Sequence, residues 1–472
     1  MHTQKKQIKS RFNTRAAFFK IIITLLIGIP ALTFSQASDS KSNDASDTYR
    51  NLERFANVLS MIEKNYVEEI KIEEAIDGAI KGMLSALDPH SSLLKPDDFK
   101  ELQVETKGSF SGIGIEITLK DNILTVVSPI EGTPAFKQGL KAGDKIIKIK
   151  DESTKDMSLM DAVKRLRGLK GTPVTVSIHR QGWTDLKEFT IIRDVIPLHS
   201  VKTKILEPGY VYLRITTFQG KTAQEAKEAM EKLVATEKDI KGLVLDVRNN
   251  PGGLLEQSVK VSDLFLDKGM IVSIKGRRHG DNMEFKAHDD GDKYSFPIVV
   301  LVNEGSASAS EIVAGALQDH KRAIIIGTQT FGKGSVQTVI PMRDGSGLRL
   351  TTARYYTPNG ISIQAKGITP DVIVPRIVQN GNGNGEEEKK KKSVLREKDL
   401  KHHILSEEEE NGTTNKDKSK EKKEEQRKNK EKKSKEKEDT LRKIKEELQN
   451  DNQLRTALFM LKGLNVLTPR SR

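Results

Sequence analysis

Apolar residues recur three and four apart between Thr48 and Leu87. They are Leu52, Phe55, Val58, Leu59 and Ile62, then Ile72, Ala75, Ile76, Ala79, Ile80, Met83 and Leu84. That spacing predicts two or three helices. They end at a proline-led turn, "LDPHSSLL" (Leu87 to Leu94), where His90 reads as a turn histidine. From Gly108 to Arg193 the period shortens to two. "GIGIEITL", "ILTVVSPI" and "VTVSIHR" alternate as strands, and "SLMDAVKRLRG" sets a helix among them, so a small β-rich domain is expected. From Tyr210 to Tyr356 strands and helices alternate. "YVYLRI" precedes a helix from Thr222 to Val234, "GLVLDV" one from Leu254 to Phe265, and "PIVVLVN" one from Ser308 to Gln318, after which "RAIIIG" follows. Such alternation argues for a parallel or mixed sheet covered by helices.

The pattern fails at both ends. From Glu386 to Asp439 the chain is mostly Lys and Glu without an aromatic residue, so it cannot bury enough apolar area to offset chain entropy and reads as a solvated run. Helical periodicity returns between Asp439 and Leu464, with Leu441, Ile444, Leu448, Leu454 and Leu458, as expected of a helix that docks back on the body. At the other end, Lys5, Lys6, Lys9, Arg11, Arg15 and Lys20 precede fourteen uncharged residues, Ile21 to Phe34, and small residues at Ser35 and Ala37. This reads as a secretory signal cut after Ala37. Fourteen residues are short for a membrane span, which needs about 20; left uncut, the segment would tether the protein to a membrane. Either way the rest is exported, to a periplasm or to the outer face of the cytoplasmic membrane.

The charge follows from these ends. The 472 residues carry a net charge of +13, but much of that excess lies in the leader and the tail is nearly balanced in sign. No basic patch interleaved with aromatics marks a nucleic-acid site. The chain has no cysteine, which excludes a disulfide framework and a thiol nucleophile. No His/Asp/Glu cluster has zinc spacing, and no metal or cofactor is expected.

The candidate chemistry lies at strand ends. In "NEGSASASEI" (Asn303 to Ile312), Ser308 would begin a helix directly after a buried strand. Free backbone N–H groups and the positive helix end point outward there, which is what oxyanion stabilisation needs. The plainer alternative is an N-cap at Ser306 or Ser308, with Glu311 completing a capping box from Ser308. Lys333, between glycines in "TFGKGSVQ", follows the next strand. Residues after consecutive parallel strands share a sheet edge, so Ser308 and Lys333 are expected to face one another. A lysine serves as general base where burial or a cationic neighbour disfavours its charge, and Gln337 could hold the amine. The alternative for Lys333 is an anion anchor. A histidine triad through His279 or His288 also competes; Asp319 and His320, at the far end of the Ser308 helix, lie about 16–18 Å away. In "DVRNNPGGLL" (Asp246 to Leu255), Gly252 or Gly253 could supply an oxyanion donor beside the N–H of Ala309.

These stretches together resemble the carboxyl-terminal processing (tail-specific) serine proteases. The likeness rests on "GSASASE" with Ser308, on "GKGSVQ" with Lys333 and Gln337, and on "DVRNNPGG", "LDPHSS", "GIGIEI", "TPAFKQGLKAGDKIIKI" and "RYYTPNG", and it spans Thr48 to Pro375. It implies an α/β core resembling the Clp-protease/crotonase fold, a Ser308/Lys333 dyad assisted by Gln337, and an inserted PDZ domain. The organisation expected is a signal peptide (1–37), an N-terminal helical region (48–103), a PDZ domain (104–194), a protease core (195–375), a charged low-complexity segment (380–439) and a C-terminal helix (440–464). The PDZ domain would hold a peptide carboxylate at the N–H groups of Gly112, Ile113 and Gly114, with Ile113 and Ile115 lining a pocket for the last side chain. Arg167, at the end of its helix, is a candidate contact between domains. The implied partners are protein substrates with free apolar C-termini and, in addition, a second copy of the chain. The rival functions are a non-catalytic PDZ scaffold and an acyl-CoA enzyme of crotonase type.

Overall fold

The computed structural model describes residues 40–289, 294–377, 396–405 and 444–467. The expected signal segment and most of the Lys/Glu run lie outside the described residues. Among the described residues no helix is long and apolar enough to cross a membrane.

Two units are distinguished, the first ending at Ala75. In it α1 (Ser40–Asn65) carries the expected helical stripe, and Leu52, Phe55, Val58, Met61 and Ile62 are exposed on it. α2 (Ile72–Ser85) runs into the second unit and buries Leu84. β1 (Ser92–Leu94) and α3 (Pro96–Lys107) follow, and α3 stops at Gly108 in the left-handed conformation, φ 68°.

The β-rich domain comes next. β2 (Ser109–Gly112) pairs with β9 (Asp194–Pro197) at its neck. Between them lie β3 (Ile115–Lys120), β4 (Ile123–Pro129), α4 (Pro134–Lys137), β5 (Lys145–Ile149), β6 (Glu152–Ser153), α5 (Leu159–Leu166), β7 (Pro173–His179) and β8 (Lys187–Ile192). Their antiparallel sheet has the order β3-β4-β5-β7-β8, with β6 on β5. Alternate residues Leu124, Val126, Val174, Val176 and Ile178 pack with Ala162 and Leu166 of α5, the burial expected of a period-two pattern. Buried Arg193 closes the end of α5, donating from Nε to the Leu166 carbonyl at 3.0 Å and from a terminal nitrogen to that of Arg165 at 2.8 Å.

The main sheet confirms the alternation read from the sequence. β10 (Val201–Glu207), β11 (Tyr210–Ile215), α6 (Thr222–Thr236), β12 (Gly242–Asp246), α7 (Leu255–Asp263), β13 (Met270–Gly276), β14 (Met283–Lys286), β15 (Ile298–Val302), α8 (Ala309–Asp319), β16 (Ala323–Gly327), β17 (Ser335–Pro341), β18 (Gly347–Tyr356) and β19 (Val372–Ile373) follow in order. The sheet runs β10-β11-β12-β15-β16-β19, parallel except at β10. A sheet of this kind must be covered on both faces. Val211, Leu213, Leu243, Leu245, Val300 and Ile325 point to α6, α7 and α8. Tyr212, Val244, Val299, Leu301 and Ile326 point the other way, and α9 (Asn452–Leu467) covers them with Leu454, Ala457, Leu458 and Leu461. The expected docking of the C-terminal helix is thus present. A second, antiparallel sheet, β1-β18-β13-β14 with β17 on β18, was not foreseen, because its strands lie apart in the chain.

Candidate active site

Four loops meet at one end of the main sheet. The loop after β12 carries Gly252 and Gly253, that after β15 carries Ser308, and that after β16 carries Lys333. The fourth is the turn at Asp88–Ser91. The serine-rich alternation of the Ser308 loop is a clasp. Ser306 Oγ donates to the Val247 carbonyl at 2.8 Å, Ser310 Oγ to the Asn250 carbonyl at 2.9 Å, and Ala307 N to the same carbonyl at 3.0 Å. Asn303 and Asn249 exchange two bonds of 2.8 Å. Ser306 and Ser310 are therefore structural, and Ser308, midway between them, is presented. Ser308 sits at φ 55°, ψ −114°, a conformation that costs a non-glycine residue about 1–3 kcal/mol and persists only where its surroundings impose it.

Gly252 and Gly253 lie directly against it. Their φ values are 103° and 139°, open to glycine at little cost. A Cβ on Gly252 would meet Ser308 Cβ at 2.8 Å and Ala309 N at 3.0 Å, and one on Gly253 would meet the Phe218 carbonyl oxygen at 2.2 Å. Gly252 N donates to Asn250 Oδ1 at 2.9 Å. The N–H groups of Gly253 and Ala309 have no acceptor among the described residues. Two free donors beside a strained serine have the geometry that oxyanion stabilisation needs.

Glu311 joins the serine to the lysine. Its fully buried carboxylate accepts from Ser308 N at 2.7 Å and Lys333 N at 3.0 Å on Oε2, and from Gly332 N at 2.8 Å and Thr330 Oγ1 on Oε1. Burial pushes this carboxyl up to about 7, against the four donors that favour the ionised form. The sequence showed only the capping half of this role; the lysine-loop half depends on a tertiary contact. Tyr355, fully buried, donates to the Lys333 carbonyl and also lies against the Ser308 hydroxyl.

Burial holds the Lys333 amine below its ordinary value. Glu397, Glu311 and Asp88 oppose that shift, and Arg349 adds to it. The expectation for Gln337 needs correction. Its Nε2 donates to Ser335 Oγ at 2.9 Å and to Thr351 Oγ1 at 3.4 Å, and no hydrogen bond joins it to Lys333. A register shift lies between Val336 and Gln337, and Gln337 pairs with Thr351 of the neighbouring strand. Of the other histidines, His288 and His320 are engaged elsewhere. His288 Nδ1 lies 3.1 Å from Asp263 Oδ2, and His320 Nε2 lies 2.6 Å from the Met270 carbonyl; His279 begins a 3-10 turn. His90 is more than a turn residue: its Nε2 lies 2.8 and 2.9 Å from the two oxygens of Glu397. Buried Asp88 shapes that turn by accepting from His90 N, Ser91 N and Ser91 Oγ.

Arg248, behind the site, also escaped the sequence reading. Arg248 donates to Asp246 Oδ2 at 2.7 Å and to Asp451 Oδ2 at 2.7 Å, and to Gln453 Oε1 at 2.9 Å, so the glycine loop is tied to the start of α9. A charged residue in a loop gives no sequence signal for such a partner.

In the β-rich domain a groove of about 100 Å³ runs between β3 and α5, lined by Gly112, Ile113, Gly114, Ile115, Val163 and Leu166. Gly114, at φ 80°, has no room for a Cβ, which would meet Thr133 Cβ at 2.3 Å. Arg167 lies at the groove's end. It stacks on the Phe110 ring at 4.7 Å and pairs with Glu101 of α3. Lys164 adds a second pair, with Asp97 at 2.7 Å. Phe99 of the same helix packs on Gly347 of β18, so α3 touches both the groove domain and the second sheet.

A peptidase fold with an inserted PDZ domain is the class these features define. The sequence matches peptidase family S41 over residues 209–374, the PDZ domain over 101–179, and the activating protease CtpB N-terminal domain over 29–97. It is 45% identical over 371 residues to a carboxy-terminal-processing protease of Bartonella bacilliformis, covering 78% of this chain and 84% of that one. It is 37% identical over 360 residues to the carboxy-terminal processing protease CtpA of Bacillus subtilis, covering 75% and 76%. Among solved structures, a photosystem II D1 C-terminal processing protease aligns at 33% identity over 70% of this chain and 92% of that chain, with a TM-score of 0.41. The chain belongs to the carboxy-terminal processing protease family.

Proposed function

We propose that this protein is an exported serine endopeptidase that captures apolar C-terminal tails in its PDZ groove and cleaves them with a Ser308/Lys333 dyad. The observation that carries the reading is the junction at Glu311, where one carboxylate oxygen holds the N–H of a strained serine and the N–H of a half-buried lysine. In this reading the neutral Lys333 amine takes the proton of Ser308 Oγ as that oxygen bonds to the scissile carbonyl carbon. The oxyanion forms against the N–H groups of Gly253 and Ala309. As the tetrahedral centre collapses, the C–N bond breaks and the lysine ammonium gives its proton to the leaving amine. Water then attacks the ester, losing a proton to the Lys333 amine, and the C–O bond to Ser308 breaks as the lysine ammonium returns that proton to Ser308 Oγ. Burial supports the base role, because it disfavours the ammonium. Export rests on the basic and apolar pattern ahead of Ala37, and would bring the enzyme to proteins outside the cytoplasm.

A fluorophosphonate probe on the full-length protein tests the nucleophile. Labelling is expected at Ser308 and absent in Ser308→Ala; an unlabelled wild type would favour a PDZ scaffold. Comparing protein C-termini in cells with wild-type and Ser308→Ala protein tests the substrate class, with apolar tails persisting only in the variant.

A further inference from the structure

The segment Arg396–Leu405 lies within the charged extension, beyond the residue at which the match to the peptidase family ends. The sequence reads it as solvated. The structure packs it against the active site, and the anchor is a charged side chain. Glu397 is fully buried. Its carboxylate meets His90 Nε2 at 2.8 and 2.9 Å and accepts from Gln364 Nε2 at 2.9 Å. Gln364 turns its Oε1 to Gly334 N, next to Lys333, at 2.9 Å, and also donates to the Ile404 carbonyl at 2.9 Å. Glu397 N donates to the Phe331 carbonyl at 3.3 Å, and Arg396 to Gln329 Oε1 at 3.3 Å. The segment is thus bonded directly to the lysine loop ahead of Lys333, to Gly334 beyond it through Gln364, and to the Asp88–Ser91 turn through His90.

A buried carboxylate is costly unless paired and hydrogen-bonded. An apolar residue would hold a mere strap at lower cost, so the carboxylate calls for another reason. The step proposed above supplies one: when Lys333 takes the serine proton it becomes an ammonium in a buried site, and a nearby carboxylate stabilises that charge as it forms. We infer that Glu397 is a positioning residue of the active site, delivered by the C-terminal extension to fix the lysine loop through Gln364 and to stabilise the ammonium that Lys333 forms. This rests on the Ser308/Lys333 reading. The charged and titratable groups around the amine are Glu397, Glu311, Asp88, Arg349 and Tyr355, with His90 behind Glu397. Of the carboxylates, Glu397 is the largest influence favouring the charged amine.

The test is the pH dependence of kcat and kcat/KM for full-length protein, read with a quenched peptide bearing a free apolar C-terminus. Glu397→Gln keeps the shape and removes the charge. It should move the acid limb to lower pH by about one unit, the scale of one nearby charge, and lower the plateau kcat by about tenfold with KM little changed. Glu397→Asp keeps the charge and shifts its position. It should hold the acid limb and lose part of kcat. Should Glu397→Gln fail to fold, Gln364→Asn shortens the bridge while leaving the charge, and must lower kcat without moving the limb. Wild-type kcat and limb in folded Glu397→Gln, or wild-type kcat in Gln364→Asn, overturns the proposal. So does a higher kcat in Glu397→Ala, which would make the segment a plug. Lys333→Ala separates the two readings: activity there defeats the dyad itself, whereas an inactive Lys333→Ala beside an indifferent Glu397→Gln defeats only the role of Glu397.

Discussion

The strand-end site and the PDZ groove solve opposite physical problems. At the site, charged and titratable groups are buried together: Glu311, Glu397 and Asp88 are nearly or wholly inaccessible, and a lysine sits among them. In the groove the lining is apolar apart from backbone and one arginine, and it lies open between a strand and a helix. Burying charge is unfavourable on its own, so the site is held by a dense set of hydrogen bonds from four loops. The groove needs no such network, because apolar side chains and a strand edge suffice to hold an extended peptide. Substitutions at the site should therefore act on kcat, and changes at the groove on KM.

The largest effect is expected at the dyad. Ser308→Ala and Lys333→Ala should each abolish hydrolysis while leaving circular dichroism and Tm close to wild type. Lys333→Arg should fail equally, because a guanidinium stays protonated. Near-wild-type turnover in Lys333→Arg would remove the lysine from the role of base. The wild-type rate should rise with pH through the depressed Lys333 value, the direction set by burial.

Glu311→Gln comes next. An amide cannot accept on both of its ends, so at least one of the N–H groups of Ser308, Gly332 and Lys333 would face an NH2. Leaving a buried donor unsatisfied costs about 1–3 kcal/mol, and kcat should fall by roughly ten- to a hundredfold. The same variant has a pH signature. The folded-state value of this carboxyl, about 7, lies above its ordinary 4.5. Its contribution to stability is therefore complete below the ordinary value and is lost as pH rises through about 7. Tm measured between pH 4.5 and 8 should decline less steeply in Glu311→Gln than in wild type; parallel curves would place the titration elsewhere.

At the groove, amidating the C-terminus of a substrate should raise KM and spare kcat. The lost charge-assisted bond to backbone N–H groups is worth about 1.5–3 kcal/mol, roughly ten- to a hundredfold. A fall in kcat with KM unchanged would mean that the groove acts on the chemistry and not only as a tether. The smallest effect is expected for Arg167→Ala with a short peptide that lacks a tail. Because Arg167 pairs with Glu101 of α3, any stimulation of that peptide's cleavage by a separate tail peptide should weaken in the variant. Undiminished stimulation would exclude this contact as the link.

Local pattern determined much of this protein. The apolar runs in Tyr210–Ile215, Gly242–Asp246 and Ile298–Val302, each followed by a helix, dictate a covered parallel sheet. The same order places Ser308 and Lys333 after neighbouring strands, and so at one edge. The glycines at 252, 253 and 114 are legible for the same reason, since a missing side chain is a local property. Other residues read locally as something ordinary. Glu311 looked like a cap, His90 like a turn residue, Gln337 like a partner for the lysine, and Glu397 like one more charge in a solvated run. For Glu311, His90 and Glu397 the role is decided by contact with groups far along the chain, His90 and Glu397 meeting across 307 positions, whereas Gln337 turns to Ser335 and Thr351. Periodicity carries information over a few residues, and composition averages over many. Neither can report which single carboxylate of a charged run leaves water, because that depends on the space and the donors the folded core offers.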